Sequence, residues 1–227
     1  MTRARGVVVA IDGPAGAGKS TASRMLADRL GYTLVDTGAV YRAVALSARE
    51  RGIDWDDSRA MGEHASRLRI AMAPGEGGVR VFVDDRDRTA ELRTPEISQG
   101  ASKVSAHPPV RDALLALQRQ LGAEGGVVLE GRDIGTVVFP DAEVKVFLTA
   151  GDEERARRRC AELAAKGVEV HMDEVLRELR ERDHRDTMRP VAPLKAAGDA
   201  LVLDSTQLSL DEVVERLVHV VRAAAAR

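Results

Sequence analysis

The segment that most restricts the fold of this chain is a glycine-rich octapeptide near its N-terminus. Its members are Gly13, Pro14, Ala15, Gly16, Ala17, Gly18, Lys19 and Ser20. They match a pattern in which successive backbone N–H groups surround a phosphate while the lysine reaches the outer phosphates of a nucleotide. An apolar run at residues 7–11 precedes the octapeptide, and Met25, Leu26 and Leu30 follow it with helical spacing. This order of strand, loop and helix is the setting that such a phosphate-binding loop requires.

Short apolar runs recur along the whole chain and predict the strands of one sheet. They occupy residues 7–11, 33–35, 127–129, 144–148 and 200–203. Helical patterns lie between them, and Ser209 and Glu212 are spaced as a capping box before the last helix. Alternating strands and helices predict an α/β fold in which five mostly parallel strands are covered by helices on both faces.

One segment interrupts this alternation. Residues 68–72 and 79–83 are apolar and flank a glycine-rich stretch at 74–78, a pattern typical of an antiparallel hairpin. We interpret residues 64–104 as an inserted small α+β subdomain. The core of the fold is then expected to comprise residues 1–63 and 105–227.

Composition excludes several function classes. The 34 basic and 36 acidic residues give a net charge of −2, which argues against a general nucleic-acid or membrane-surface binder. No apolar run approaches the length of a membrane span, and Asp12 ends the first run too early for a signal peptide. Cys160 is the only cysteine, so no internal disulfide can form. We expect a cytoplasmic monomer that binds neither nucleic acid nor membranes.

The same phosphate-binding loop serves GTPase switches, ATP-driven motors and small-molecule kinases. The chain contains no Asn, so the guanine-reading Asn-Lys-x-Asp element of GTPase switches is missing. It is also short for a motor. A nucleic-acid-binding regulator is disfavoured by the near-neutral charge and by an aromatic content of only 3%. A small-molecule kinase is favoured, and a nucleotide-dependent switch or binding protein is the alternative of a different class.

Three polar clusters are expected at the edge of the sheet where open α/β folds place their ligands. They lie at residues 36–42, 130–136 and 182–189. Each contributes arginines, which can neutralise several phosphate groups held close together. A monophosphate acceptor needs no general base, because it is largely a dianion at neutral pH. The histidines show no metal-ligand spacing and receive no role.

Together with the octapeptide, residues 37–42, 131–136 and 182–189 resemble the bacterial cytidylate kinases, a group of nucleoside monophosphate kinases. The likeness covers nearly the whole chain and includes the central insertion. It implies transfer of the γ-phosphate of ATP to CMP or dCMP, with an adenylate, uridylate or shikimate kinase as the nearest alternative. It also implies that residues 64–104 bind the monophosphate and that a helical lid spans about residues 152–190.

The resemblance further implies roles for single residues. The expected ATP contacts are the octapeptide and Thr21, and the expected catalytic residues are Lys19, Arg132, Arg189 and Arg158. Ser102, Arg111 and Asp133 would read the cytosine, with Thr37 close to the base. The acceptor α-phosphate would be held by Arg42, Arg132 and Arg189, and the ribose would be contacted by Arg182 and Asp186.

The lid contains Arg157, Arg158 and Arg159 in sequence. Three consecutive residues cannot share one face of a helix, so we expect only one or two of them to touch phosphate.

Magnesium is the expected cofactor, with Ser20 as a ligand. Because Mg²⁺ keeps several waters in most nucleotide sites, a nearby carboxylate can act through them. Asp36 and Glu130 each follow an apolar strand beside the expected phosphate site and are the candidates.

Overall fold

The computed structural model describes residues 3–75, 78–165 and 167–226. Its strands are β1 (Val8–Asp12), β2 (Thr33–Asp36), β3 (Ile70–Gly75), β4 (Gly78–Val83), β5 (Arg86–Asp87), β6 (Val127–Gly131), β7 (Val144–Thr149) and β8 (Leu201–Asp204). Its helices are α1 (Lys19–Leu30), α2 (Thr37–Glu50), α3 (Ser58–Arg67), α4 (Pro95–Val104), α5 (Pro108–Gly122), α6 (Asp152–Ala164), α7 (Met172–Met188) and α8 (Leu210–Ala225). A 3₁₀ turn at Glu91–Arg93 and a π-helical turn at Ile134–Val138 complete the elements.

The central sheet has five strands in the order β2-β6-β1-β7-β8, and every neighbouring pair is parallel. This confirms the predicted sheet. Strand β1 lies in the middle, between β6 and β7. The octapeptide that follows β1 therefore emerges at the centre of the carboxyl edge.

Alternation along β1 sends its side chains to two separate cores. Val9 and Ile11 pack into a cluster with residues of α1 and α8. Val8 and Ala10 pack on the opposite face, in a cluster with Ile134 of the π-helical turn. Both faces of the strand are buried, which is why its sequence is continuously apolar.

Several strands extend one or two residues beyond the apolar runs that predicted them. Strand β1 continues to Asp12, which pairs with Gly131 of β6, and β2 continues to Asp36, which pairs with Glu130. The predicted ranges ended at the last apolar residue, whereas backbone pairing continues into the polar residues that follow. As a result, three carboxylates are held in the sheet at its carboxyl edge.

Helix α2 begins at Thr37, directly after the last residue of β2. The carboxylate of Asp36 accepts the backbone N–H of Ala39 at 3.0 Å and caps the helix. Asp36 therefore ends a strand and starts a helix in one step.

The predicted antiparallel hairpin is confirmed as β3 and β4, which pair from Ile70 with Val83 to Gly75 with Gly78. Glu76 and Gly77, in the predicted turn, lie outside the described residues. The short strand β5 adds a third member to this second sheet. Helix α3 runs through residue 64, so the expected boundary of the insertion falls inside a helix, and the division into domains remains a prediction.

Helices α6 and α7 form a hairpin over the predicted lid region. Their apolar contacts come from Ala156, Leu163, Val175 and Leu179, and Ala15 of the octapeptide belongs to the same cluster. Within the described ranges, no helix is both long enough and apolar enough to cross a bilayer.

Candidate active site

The octapeptide forms a loop between β1 and α1 whose shape depends on two kinds of constraint. Gly13 has φ 149°, and a Cβ at this position would lie 1.9 Å from the carbonyl oxygen of Leu148 in β7. Gly16 and Gly18 also have positive φ, of 75° and 87°. Such angles favour glycine, and they turn consecutive N–H groups toward one concave side.

Lys19 is the first residue of α1 and is 6% exposed. Its Nζ donates to the carbonyl oxygen of Pro14 at 2.6 Å, so the side chain curls back over the loop. Burial lowers the pKa of Lys19, and the nearby charge of Arg132 lowers it further. A buried cation that other cations disfavour is suited to receive an anion such as a phosphate.

Next to Lys19, the hydroxyl of Ser20 lies close to carboxylate oxygens. The hydroxyl of Ser20 donates to Oε2 of Glu130 at 2.8 Å. Burial raises the pKa of Glu130 to about 7, and the neighbouring carboxylate of Asp36 contributes to this increase. A buried and a partly buried carboxylate that repel each other next to a hydroxyl fit a hard divalent cation, which favours oxygen ligands.

No group of three or more His, Cys, Asp or Glu side chains in the described part of the chain is arranged to hold a metal by itself. Magnesium is commonly bound through few protein groups, waters and substrate phosphates.

A cluster of arginines surrounds Asp186 of α7. Arg132 donates from Nε to Oδ2 of Asp186 at 3.0 Å. Nε of Arg182 is buried and has no hydrogen-bond partner among the described residues. Burial lowers the pKa of Arg182 to about 10, and the charges of Arg132 and Arg42 act in the same direction. The cluster therefore has more positive charge than its protein partners neutralise.

Arg42 approaches this cluster from α2, where it pairs with Asp36. Asp36 therefore has two partners, Arg42 and the backbone of Ala39.

The residues expected to read the base form a second cluster. Arg111 of α5 donates to Oδ2 of Asp133, and Arg189 donates to Oδ1 of the same carboxylate at 3.3 Å. All three side chains are buried. Ser102 donates to Asp186 at 3.3 Å, which connects this cluster to the arginines around Asp186.

Thr37 and Tyr41 border the second cluster from α2. The hydroxyl of Thr37 donates to the carbonyl oxygen of Glu130 at 2.7 Å. Tyr41 lies under the guanidinium of Arg111, 5.5 Å from ring centroid to Cζ. Sequence reasoning assigned no role to Tyr41, although it lies within the 37–42 segment that suggested the site.

Arg189 has a different neighbourhood from Arg132 and Arg42, with which the resemblance groups it. It is 6% exposed, pairs with Asp133, and donates from Nε to the carbonyl oxygen of Ala192 at 2.6 Å. Electrostatically it acts on Asp186, as do Arg132 and Arg182. The structure thus brings the predicted acceptor residues into two adjoining clusters that share Asp186.

The lid arginines separate as helical geometry requires. Arg158 donates to the carbonyl oxygen of Ala17 at 3.4 Å and to both the hydroxyl and the carbonyl oxygen of Ser205. Arg157 is 68% exposed and pairs with Glu154, and Arg159 pairs with Glu162. Of the three, Arg158 is the residue that lies against the phosphate-binding loop.

Sequence reasoning missed three residues that contact this site. Arg155 and Asp183 both bond to the backbone of Ala15. Asp12 accepts the N–H groups of Ile134 and Gly135, both at 2.8 Å. Asp183 lay inside the 182–189 cluster and Arg155 lies one helical turn before Arg158, so proximity to known motifs was the available signal.

Asp12 holds the turn that follows Asp133. Its carboxylate is 4% exposed, and burial raises its pKa to about 6 despite the two N–H donors. Because Asp133 immediately precedes Ile134, the bonds from Asp12 help to fix where Asp133 lies.

Comparison with known proteins gives a consistent result. The sequence model described as cytidylate kinase matches residues 9–223. The chain belongs to the cytidylate kinase family. A cytidylate kinase of Geobacter sulfurreducens is 53% identical over 218 residues, covering 96% of this chain and 94% of that protein. A cytidylate kinase of Carboxydothermus hydrogenoformans is 49% identical over 213 residues, covering 94% of this chain and 96% of that protein.

Membership in the cytidylate kinase family makes the chain a phosphotransferase and confirms the resemblance seen in its motifs. A solved structure of an uncharacterised protein from Eubacterium ventriosum has a TM-score of 0.51 at 10% identity, covering 96% of this chain and 99% of that chain. At that identity the likeness shows the fold alone.

Proposed function

We propose that this chain transfers the γ-phosphate of ATP to CMP or dCMP, giving ADP and CDP or dCDP. The observation that carries the proposal is the proximity of the loop lysine to the arginines of α7 and of the β6 edge. Arg132 and Arg182 both lower the pKa of Lys19 by their charge. The donor-phosphate cradle and the arginine cluster therefore adjoin, as transfer between two phosphates requires.

ATP lies across the octapeptide and Thr21. The inward N–H groups and Lys19 bind its outer phosphates, and Arg158 closes over the loop from α6. These donors neutralise the charge that three phosphates bring into a buried site. The lid spans about residues 152–190.

Mg²⁺ is held by Ser20, with Asp36 or Glu130 acting through water. When bound, it neutralises charge on the outer phosphates of ATP. The neighbouring carboxylates of Asp36 and the buried Glu130, together with the bond from Ser20 to Glu130, support this assignment.

The acceptor phosphate is held by Arg42, Arg132 and Arg189. Arg182, which the resemblance implies for the ribose together with Asp186, is surrounded by the charges of Arg132 and Arg42. Its unpartnered Nε supports contact with an anionic or hydroxyl oxygen of the acceptor. An arginine N–H group that bonds to no protein atom is available to bond to a ligand.

The cytosine is read by Ser102, Arg111 and Asp133, with Thr37 nearby. Arg111 offers donors and Asp133 offers acceptors in one buried pair. A base with an adjacent carbonyl, ring nitrogen and amino group can exchange partners with both. A base whose polar edge differs leaves one of them unpaired, which is costly in a buried pocket.

Catalysis proceeds by positioning and charge neutralisation. The acceptor is already a nucleophile, since the second pKa of a monophosphate is about 6. Lys19, Arg132, Arg189 and Arg158 stabilise the charge that spreads over the transferring group. No proton needs to be removed by a base, and none of the five histidines is assigned a role.

The proposal includes a cytoplasmic monomer whose partners are ATP and CMP or dCMP, without nucleic acid or membranes. The net charge of −2 and the absence of a basic excess support it.

An ADP-release assay with magnesium-ATP and a panel of CMP, dCMP, UMP, AMP and GMP tests the function. CMP and dCMP should turn over fastest, and ATP hydrolysis without an acceptor should be slow because the closed site excludes water. AMP or GMP as the best acceptor would refute the acceptor assignment. Tight nucleotide binding without transfer to any monophosphate would instead favour a nucleotide-dependent switch.

A further inference from the structure

Ala15, the third residue of the phosphate-binding loop, is fixed by the α6–α7 hairpin in three ways. Its methyl group is buried in the apolar cluster of that hairpin. Its N–H donates to Oδ1 of Asp183 at 3.3 Å. Its carbonyl oxygen accepts from Nη1 of Arg155 at 2.9 Å. Both sides of one loop residue are therefore held by protein groups rather than left for nucleotide.

Arg155 and Asp183 also bind each other. Nη1 of Arg155 donates to Oδ2 of Asp183, so the two side chains and the Ala15 backbone form one closed set of hydrogen bonds. Arg155 is only 4% exposed and donates from Nε to the carbonyl oxygen of Ala150 at 3.0 Å. This last bond anchors the pair just beyond the end of β7.

Helix α6 approaches the loop closely at Gly16. A Cβ on Gly16 would lie 3.1 Å from both Cβ and the carbonyl oxygen of Arg155. The N-terminal part of α6 and the loop are therefore packed backbone to backbone. A shift of Arg155 would move Ala15 and Gly16 together.

Asp183 directly follows Arg182 on α7. Consecutive residues of this helix thus contact two different places, because Asp183 bonds to the donor loop while Arg182 lies in the arginine cluster around Asp186. A helix is rigid over so short a span, so its attachment to Ala15 sets the position of the cluster relative to the loop.

We propose that Arg155 and Asp183 are positioning residues. Through the backbone of Ala15, they fix the position of the acceptor-phosphate arginines relative to the donor-phosphate loop. In this role they act through Ala15 and require no contact of their own with ATP or the acceptor. Because transfer requires the two phosphates to lie in line, a misplacement of about 1 Å can lower the rate by about 10²-fold. This inference rests on the proposed function, since it assumes that the cluster around Asp186 holds the acceptor.

The test compares Asp183→Ala, Asp183→Asn and Arg155→Met with the wild-type chain. Asp152→Asn is the matched control, because Asp152 also pairs with Arg155 but bonds to no loop atom in the described residues. For each protein, kcat is measured, together with dissociation constants for CMP, for a non-hydrolysable ATP analogue, and for adenosine and cytidine joined 5′ to 5′ by five phosphates. All measurements are made below the melting temperature of every variant.

Asp183→Ala should lower kcat by about 10²-fold while each separate nucleotide binds within about threefold of wild type. The joined analogue spans both sites. Its fold-loss of affinity should be far larger than the product of the fold-losses for CMP and for the ATP analogue. Asp183→Asn keeps an oxygen for the N–H of Ala15 and should lose less than Asp183→Ala. Asp152→Asn should match wild type.

A kcat for Asp183→Ala within threefold of wild type would overturn the proposal. So would a loss of joined-analogue affinity no larger than the product of the single losses, because a pair that serves only stability would produce that result. If wild type itself does not phosphorylate CMP or dCMP, the proposed function fails, and this inference fails with it.

Discussion

Two neighbouring arginines of α6 show how strongly position on a helix governs the role of a side chain. Both bond to Glu154, but Arg157 is 68% exposed, whereas Arg158 also contacts the loop carbonyl of Ala17 and the backbone of Ser205. One residue step rotates a side chain by about 100°, which is enough to separate solvent from site.

Arg158→Ala should therefore lower kcat/KM for ATP by about 10- to 10²-fold, which corresponds to the loss of one or two charged hydrogen bonds. Arg157→Ala is the matched control and should remain within about twofold. Steady-state kinetics at saturating CMP measure both. Equal losses for the two variants would contradict the assignment.

Asp12 leads to a prediction about pH. Burial raises the pKa of Asp12 to about 6, above its value in an unfolded chain. The folded state then binds a proton more tightly than the unfolded state. Stability from this carboxyl is fully present at low pH, where both states are protonated, and is lost as pH rises through about 6.

Asp12→Asn removes this titration. The free energy of unfolding of wild type, minus that of the variant, should fall by about 2 kcal/mol between pH 4 and pH 7. Urea denaturation of both proteins across this range measures the difference, in which other titrating groups largely cancel. A difference that does not change with pH would show that Asp12 is not perturbed.

The sequence revealed residues that lie in motifs and missed residues that act across the fold. Lys19 and Ser20 follow from the octapeptide, and the arginines follow from the resemblance. Asp12 is noticed only when distant segments are brought together, because it accepts the backbone N–H of Ile134, 122 residues away. Backbone partners leave no side-chain pattern in a sequence.

Among the elements, α4 is constrained by a close contact at Gly100. A Cβ there would lie 2.6 Å from the ring of Trp55. The ring cannot easily withdraw, because its Nε1 donates to the carbonyl oxygen of Ala45 at 2.9 Å. Glycine is needed here for space rather than for a backbone angle.

Gly100→Ala should destabilise the protein by about 1–2 kcal/mol, since overpacking outweighs the better helix propensity of alanine. Gly198→Ala is the control, because a Cβ at Gly198 would meet nothing within 4 Å. That change should stay within about 0.5 kcal/mol. Urea titration provides both values, and a stabilised Gly100→Ala variant would show that Trp55 yields.

The sequence predicts elements well where hydrophobicity and pairing coincide. The five sheet strands were all found, yet their carboxyl ends at Asp12, Asp36 and Gly131 were not, since polar residues continue the pairing there. Strand β5 consists of Arg86 and Asp87 and has no apolar signal at all. Its pairing depends on β4, which no local pattern reveals.

At the scale of the whole molecule, the insertion and the body share one core. A single buried cluster contains Leu46 of α2, Val81 of β4, Ile97 of α4 and Leu114 of α5. The insertion therefore has no separate core of its own in the described part of the chain. Loss of its packing would expose the inner faces of α2 and α5 as well.

The insertion and the body should consequently unfold in one cooperative transition. Trp55, the only tryptophan, packs against the shared cluster and reports on it by fluorescence. Its transition in urea should coincide with that of far-UV circular dichroism, to which all helices contribute. A fluorescence transition at lower urea would show that the insertion melts by itself.

Gly13 has an evolutionary consequence. Its backbone angle and the carbonyl of Leu148 exclude a side chain, so this glycine is required by the neighbouring strand whether or not nucleotide is bound. Lys19, in contrast, is a buried cation whose retention depends on its anionic ligand. A descendant that gave up catalysis would be free to replace the lysine but would still inherit the glycine. Gly13 is therefore expected to persist even in descendants that no longer bind nucleotide, whereas Lys19 is expected to persist only in those that still bind it.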